Sequence, residues 1–353
     1  LLRREDNFME LASLLIRGAV MAPEGRDIIA ADQASVEARG VMWEAGQEDA
    51  LQVFERGEDI YCYTATDIYG YEVVPDPENQ PPERKLGKQA VLGLGYQMGP
   101  AKFLATCEGY RIDFTPDMVD AIVSPERQEM IEEDIRALPI IYFPDTKGLI
   151  VEERVKPLIL AKHVVEAYRT KYPKVVQLWH DCEAAAKRAI EDYEQGRQPK
   201  WVRAGERKKY GNVYYRVHGR YLICRLPSGR LLYYPFPRLK FKKTAWGQEK
   251  ETITYMGVDS FTKKWCEQTT YGGKLVENIT QAVCRDLIAD ALVALELHPD
   301  YDPILSVHDE VIVEVDEGEG SLEEVIRIME NKPKWAGNFP VKVEGWRGKR
   351  YRK

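Results

Sequence analysis

Three groups of residues have the types and spacing to do chemistry. Asp32 follows the short apolar run Asp27-Ile28-Ile29-Ala30-Ala31, with Glu37 a little more than one helical turn further on. A carboxylate at the end of a rigid strand is a hard-oxygen ligand for a divalent cation, and in the same position it could also cap a helix. Arg84, Lys88, Leu92 and Tyr96 recur every four residues, so on a helix they share one broad face of two cations, an apolar side chain and an aromatic ring. That face suits a triphosphate with a base beyond it, and it would also suit an ordinary amphipathic helix. Gly87, Gly93 and Gly95 lie alongside, where a second molecule could come close. His308-Asp309-Glu310 interrupts the alternating run Ile304 to Val315, which reads as a hairpin with His308-Asp309 at its bend. Acids are common in turns, but flanking apolar strands would hold this one rigidly. One chemistry uses all three groups: nucleotidyl transfer by two metal ions, in which carboxylates hold the ions and basic side chains neutralise the phosphates.

The elements that must carry these groups can be read in outline. Ile28 to Ala31 suits a buried strand, and Val36 to about Ala45 a helix that Gly46 can end. The turn-rich stretch from Pro75 to Pro82 precedes a helix starting near Glu83. Leu158 to Glu194 reads as largely helical, and another helix is expected from about Asn278 to Leu297. Phe8, Leu11, Leu14 and Leu15 have helical spacing in the opening segment, and the region from Ile112 to Val155 gives no clear pattern.

Composition narrows the class. With 353 residues, 44% of them hydrophobic and 30% charged, the chain can bury a sizeable core in two or three subdomains. No apolar run is long enough to span a membrane, no secretory leader is visible, and six scattered cysteines fit neither a zinc ribbon nor a redox pair. A cytoplasmic protein with reduced thiols is expected. The net charge of -7 hides a strong asymmetry: residues 197–243 hold 14 Lys and Arg against the single acid Glu206. Tyr210, Tyr214, Tyr215, Tyr221, Tyr233 and Tyr234 alternate with those cations. The stretch reads either as a nucleic-acid contact or as a basic hairpin with a solvated face.

The motifs resemble those of a known family. Ala31-Asp-Gln-Ala-Ser-Val-Glu-Ala-Arg39 is similar to motif A of the family A DNA polymerases, Arg84-x3-Lys88-x7-Tyr96 to motif B, and Val307-His-Asp-Glu310 to motif C. Leu226-Pro-Ser-Gly-Arg230 and Tyr271-Gly-Gly-Lys-Leu-Val-Glu-Asn-Ile-Thr-Gln281 resemble bacteriophage members in particular. The resemblance implies an α+β right-hand polymerase fold with an antiparallel palm and helical fingers. The palm would take residues 1–58 and 226–353, and the fingers 59–225. The thumb and the exonuclease domain are expected to be largely missing, so the chain reads as a fragment whose partners include those portions or a processivity factor, with no membrane.

The implied activity is template-directed extension of a DNA primer with dNTPs, supported by two Mg²⁺ ions for which Mn²⁺ could substitute. Asp32 and Asp309 would be metal ligands, joined by the Gln33 carbonyl and supported by Glu310, and Lys88 would act with them in catalysis. Glu37 would exclude a 2′-hydroxyl. Arg84, Lys88, Leu92, Tyr96 and Tyr61 would line the nucleotide site, and Arg17, Arg230, Gln281 and His308 would contact primer and template. Some positions depart from the pattern: Ala34-Ser35 replaces Ser-Gln, Leu92 an aromatic, Tyr61 a His, and Gln97 a Gly. Glu37 argues against a single-subunit RNA polymerase. Two further readings stay open, reverse transcription and a catalytically weak nucleic-acid-binding fragment.

Overall fold

The computed structural model describes residues 18–76, 78–137, 154–243 and 249–352. The helix expected around Phe8 to Leu15 lies outside them. In chain order, strand β1 (Arg26–Gln33) leads through a turn into helix α1 (Val36–Ala45), followed by α2 (Glu48–Glu55), α3 (Ile60–Tyr69), α4 (Glu83–Leu94), α5 (Pro100–Gly109), α6 (Pro116–Ile122), α7 (Pro125–Ala137), α8 (Val155–Lys171) and α9 (Pro173–Glu194). Strands β2 (Val202–Arg203), β3 (Tyr214–His218), β4 (Tyr221–Arg225), β5 (Leu231–Pro235), β6 (Arg238–Lys243), β7 (Glu249–Val258) and β8 (Trp265–Thr270) come next. The chain ends with α10 (Gly272–Glu296), β9 (Asp302–Val307), β10 (Glu310–Asp316), α11 (Leu322–Glu330) and β11 (Val343–Gly348).

These elements form two compact units, one of residues 1–36 and 282–353 and the other of residues 37–281. The first unit holds an antiparallel sheet in the order β11-β1-β10-β9. Side chains alternate across it, as the period of a strand requires. Ile29 and Ala31 on β1, with Val311, Val313 and Val315 on β10, pack against Ile288, Ala291 and Leu295 of α10 and Val325 and Met329 of α11. On the other face Ile28, Ala30, Ile312 and Tyr351 form a smaller cluster. Asp32 follows the alternation of Ile28 and Ala30, so the period that buries Ile29 and Ala31 directs it away from the helical layer.

In the second unit α8 packs against α3, α4, α5, α6 and α7, and α9 lies against the sheet β2-β3-β4-β5. A separate three-stranded sheet runs in the order β6-β7-β8. The helical stretch expected from Leu158 to Glu194 is two helices, because Pro173 opens α9 and Tyr172 leaves the helical region at φ -116°. The region with no clear pattern contains α6 and α7, and residues 138–153 lie outside the described set. The basic stretch is not one hairpin but five strands divided between two sheets. All six cysteines are free, and no helix among the described residues is long and apolar enough to cross a membrane.

Gly345 lets β11 close on β1: a Cβ there would sit 2.6 Å from the Ala30 carbonyl oxygen and 2.9 Å from Leu322 Cδ1. Gly345→Ala should therefore destabilise the protein by about 1–3 kcal/mol, the usual cost of overpacking. A lowered denaturant midpoint at unchanged slope would report it, and an unchanged midpoint would count against this packing.

Candidate active site

The β1–β10 ladder of the first unit gathers one group of the expected residues. Asp32 stands directly opposite Glu310 in the antiparallel register, and the Gln33 backbone N–H donates to the Asp309 carbonyl at 3.0 Å. Asp32 and Asp309 therefore occupy neighbouring strand ends although they come from opposite ends of the chain. The hairpin expected around His308-Asp309 is present as a two-residue turn closed by the Glu310–Val307 pair. His308 takes φ +55°, the left-handed value that two-residue hairpin turns favour. Its side chain is exposed, and Asp309 is partly buried.

Glu310 is buried and accepts a hydrogen bond from the Tyr351 hydroxyl, while the Tyr351 ring stacks on Trp346 at 6.2 Å. Its carboxylate is thus committed beside the Asp pair. Gln33 is almost wholly buried. Among the described residues no three His, Cys, Asp or Glu side chains converge as a metal-ligand cluster. Asp32, Asp309 and the Gln33 carbonyl would offer an all-oxygen donor set, the chemistry of Mg²⁺, which commonly completes its shell with water and substrate phosphate. The residues present fit such an ion.

The second unit gathers a different group. Asp59 caps α3 by accepting from the Tyr61 and Cys62 N–H groups at 2.8 and 3.2 Å, and its other oxygen accepts from Arg84 Nε at 2.7 Å. The Arg84 guanidinium lies 4.9 Å from the Tyr61 ring centroid and Lys88 Nζ 5.9 Å from it. Tyr61, Arg84 and Lys88 are thus brought together, with Lys88 exposed and Arg84 half-buried. Leu92 and Tyr96, both partly exposed, lie outside the buried stripe of Leu86, Ala90, Val91 and Leu94. Glu37 sits in the first turn of α1, Gln281 is exposed on α10, and Arg230 is exposed after the Pro227-Ser228-Gly229 turn. Arg17 lies outside the described residues.

The glycines near motif B serve internal packing rather than ligand approach. A Cβ on Gly87 would lie 2.1 Å from the Tyr61 carbonyl oxygen, so the lack of a side chain is what lets α4 cross α3. Gly95 faces Tyr168 and Val41, and Gly93 faces Met98. The pair that opens α10 was recognised in sequence but given no role. A Cβ on Gly273 would meet the Tyr96 carbonyl at 2.3 Å, and its N–H donates to Gln97 Oε1 at 3.0 Å. The Tyr271-Gly-Gly signal thus marks the seat of the turn that ends α4.

Much of the basic stretch is also internal. Tyr215 and Tyr234 are buried, Arg216 and Arg225 lie 4.5 and 4.7 Å from the Trp201 ring, and Lys208 donates to the Glu44 backbone carbonyl. Sequence reasoning passed over Glu44, which follows the apolar run Val41-Met42-Trp43 in α1. It is fully buried and accepts from Thr280 Oγ1 at 2.5 Å, fixing α10 next to Gln281. Burial pushes the Glu44 carboxyl up to about 8, against the opposing pull of Thr280 and Lys208. Burial likewise depresses the Lys208 ammonium.

No family model matches the chain. It is 30% identical over 345 residues to a DNA polymerase of Bacillus phage SP02, a match covering 97% of this chain and 43% of that protein. It is 31% identical over 105 residues to DNA polymerase I of Chloroflexus aurantiacus, covering 30% of this chain and 11% of the relative. The polymerase domain of Pol1 from M. smegmatis, solved in complex with DNA primer-template and dNTP, shares the fold at a TM-score of 0.50 and 16% identity. That alignment covers 99% of this chain and 43% of the other. The chain thus spans less than half the length of each of these relatives.

The Glu44 environment gives a pH dependence with a definite sign. A raised carboxyl pKa contributes stability that is fully present below the unfolded value near 4.5 and is lost as pH rises through about 8. Glu44→Gln should therefore match the wild-type melting temperature near pH 5 and exceed it by about 2 °C or more at pH 9. Parallel pH profiles for the two proteins would contradict this assignment.

Proposed function

We propose that the chain is a segment of a family A, polymerase I-like DNA polymerase, a reading its likeness to the phage SP02 and Chloroflexus aurantiacus polymerases supports, and that it extends the 3′ end of a primer with dNTPs on a DNA template, in phage DNA replication within a host cytoplasm. The observation that carries this reading is the β1–β10 register, which sets Asp32 and Asp309 at adjacent strand ends. In this reading residues 1–58 and 226–353 form the palm, and residues 59–225 form the fingers.

Asp32, Asp309 and the Gln33 carbonyl would hold two Mg²⁺ ions, or Mn²⁺ in their place, which when bound supply activation of the primer hydroxyl and charge stabilisation for departing pyrophosphate. Glu310 keeps its place on Tyr351 and supports the pair from behind. Lys88 and Arg84 neutralise the triphosphate, and Asp59 fixes the Arg84 guanidinium for that task. Tyr61 stands where it can pack beneath both cations, while Leu92 and Tyr96 line the base end of the same face. Glu37 fills the space a 2′-hydroxyl would need. Gln281, His308, Arg230 and Arg17 contact the primer-template.

Primer extension with duplex-binding controls tests the reading. Asp309→Asn should lose extension by about a thousandfold or more, since metal-borne charge stabilisation is worth several kcal/mol, while duplex binding persists. Lys88→Ala should raise the KM for dNTP by about 10- to 100-fold, the cost of one charge-assisted contact, with duplex affinity little changed. Duplex binding without any extension by the wild-type chain would instead favour a silent binding module. Separately, Glu37→Ala should raise the rNTP/dNTP incorporation ratio by about tenfold or more, and an unchanged ratio would remove the gate role.

A further inference from the structure

The β6-β7-β8 sheet ends in a built surface that none of the roles above uses. Residues 259–264 connect β7 to β8, and Asp259 locks the turn. Its carboxylate accepts from the backbone N–H of Phe261 at 3.2 Å and of Thr262 at 2.6 Å, and from the Thr262 hydroxyl at 2.8 Å. The ladder closes below it, with Asp259 N–H donating to the Lys264 carbonyl and Lys263 N–H to the Asp259 carbonyl, both at 2.9 Å. These bonds to Thr262 and Phe261 also hold the Asp259 carboxyl below the usual range.

This pinned backbone holds an aromatic ring in water. Phe261 is 93% exposed, and the cross-strand pair Val258 and Trp265 beneath it is 60% and 56% exposed. A loop that needed only to turn the chain would gain nothing from a Phe there, since exposed apolar surface is unfavourable by about 25 cal/mol per Å². Lys263 and Lys264 follow Phe261 in the same turn, both exposed, and neither is in an ion pair with a carboxylate among the described residues. By register Arg238, Lys240 and Lys242 of β6 and Lys250 of β7 share the face of Val258 and Trp265, with Glu267 taking up Lys240 and Lys242 and Glu183 pairing with Lys250 at 3.8 Å. The only acid at the tip, Asp259, turns its charge inward to the backbone.

We propose that this hairpin tip is a docking point for single-stranded nucleic acid, the unpaired template or a displaced strand, adding to the polymerase reading on which it rests. Phe261 and Trp265 offer faces for unpaired bases to stack on, and Lys263 and Lys264 offer partners for the flanking phosphates. A duplex stacks its bases on one another and leaves open only the face of a terminal pair, so the tip favours unpaired over paired strands.

Fluorescence anisotropy with a labelled oligothymidylate and with a labelled blunt hairpin duplex tests the assignment on the full chain. Phe261→Ala should weaken oligothymidylate binding by about fivefold or more, as loss of one base–aromatic stack does, and change duplex binding by less than about twofold. Its melting temperature should be that of the wild type, because the ring supports no core. Replacing both Lys263 and Lys264 by Gln should reduce the log–log salt slope for the single strand by about 1.4, two single-strand phosphate contacts' worth. Oligothymidylate affinity untouched by Phe261→Ala, as expected if the tip meets a protein instead, would overturn the proposal, and so would equal losses on both probes. If the wild-type chain extends no primer yet still binds oligothymidylate through Phe261, the polymerase reading falls and the docking site stands.

Discussion

The polymerase reading of this molecule depends on the register in which β1 pairs with β10. That ladder sets Asp32 opposite Glu310 and ties Gln33 to Asp309, so that residues from both ends of the chain share one end of a sheet. The register is fixed by hydrophobic burial rather than by the acids themselves. Ile29 and Ala31 must face α10 and α11 together with Val311, Val313 and Val315. A slip by one residue would turn that whole set outward and drive Asp32 into the apolar layer, at the cost of several buried side chains and an uncompensated charge. The core therefore specifies the site, and Tyr351 adds a hydroxyl that keeps the buried Glu310 satisfied.

The second unit applies the same logic with different parts. Asp59 caps α3 and grips Arg84 on α4, so one carboxylate both starts a helix and orients a cation on its neighbour. The absence of a side chain at Gly87 lets the two helices approach closely enough for Tyr61 to lie beneath Arg84 and Lys88. At the other end of α4, Gly273 receives the Tyr96 carbonyl. Backbone contact at both ends leaves α4 little freedom to rotate, and that is what keeps its outward face in one orientation.

The sequence made the local elements around the acids readable. Alternation and a two-residue interruption marked the His308-Asp309 turn, and apolar runs marked β1 and α1, because both signals lie within a few neighbouring residues. What the sequence hid was partnership. A count of charge along residues 197–243 does not distinguish Lys208, spent on the Glu44 carbonyl, from Lys263 and Lys264, which follow outside that stretch. The glycines of motif B carried a readable need for close approach, but only the folded chain shows that the approaching groups are Tyr61, Tyr168 and Met98. Nothing near Glu44 in the sequence signals its hydrogen bond to Thr280 of α10, more than two hundred positions away in the chain.

The account is tested most directly by locating the metal. Crystals of the chain grown with a primer-template, a non-hydrolysable dNTP analogue and Mn²⁺ would give an anomalous difference map that identifies manganese without ambiguity. The account predicts peaks within about 2.0–2.6 Å of carboxylate oxygens of both Asp32 and Asp309, the range for hard oxygen ligands. Manganese bound elsewhere, with either of these carboxylates uninvolved, would contradict it.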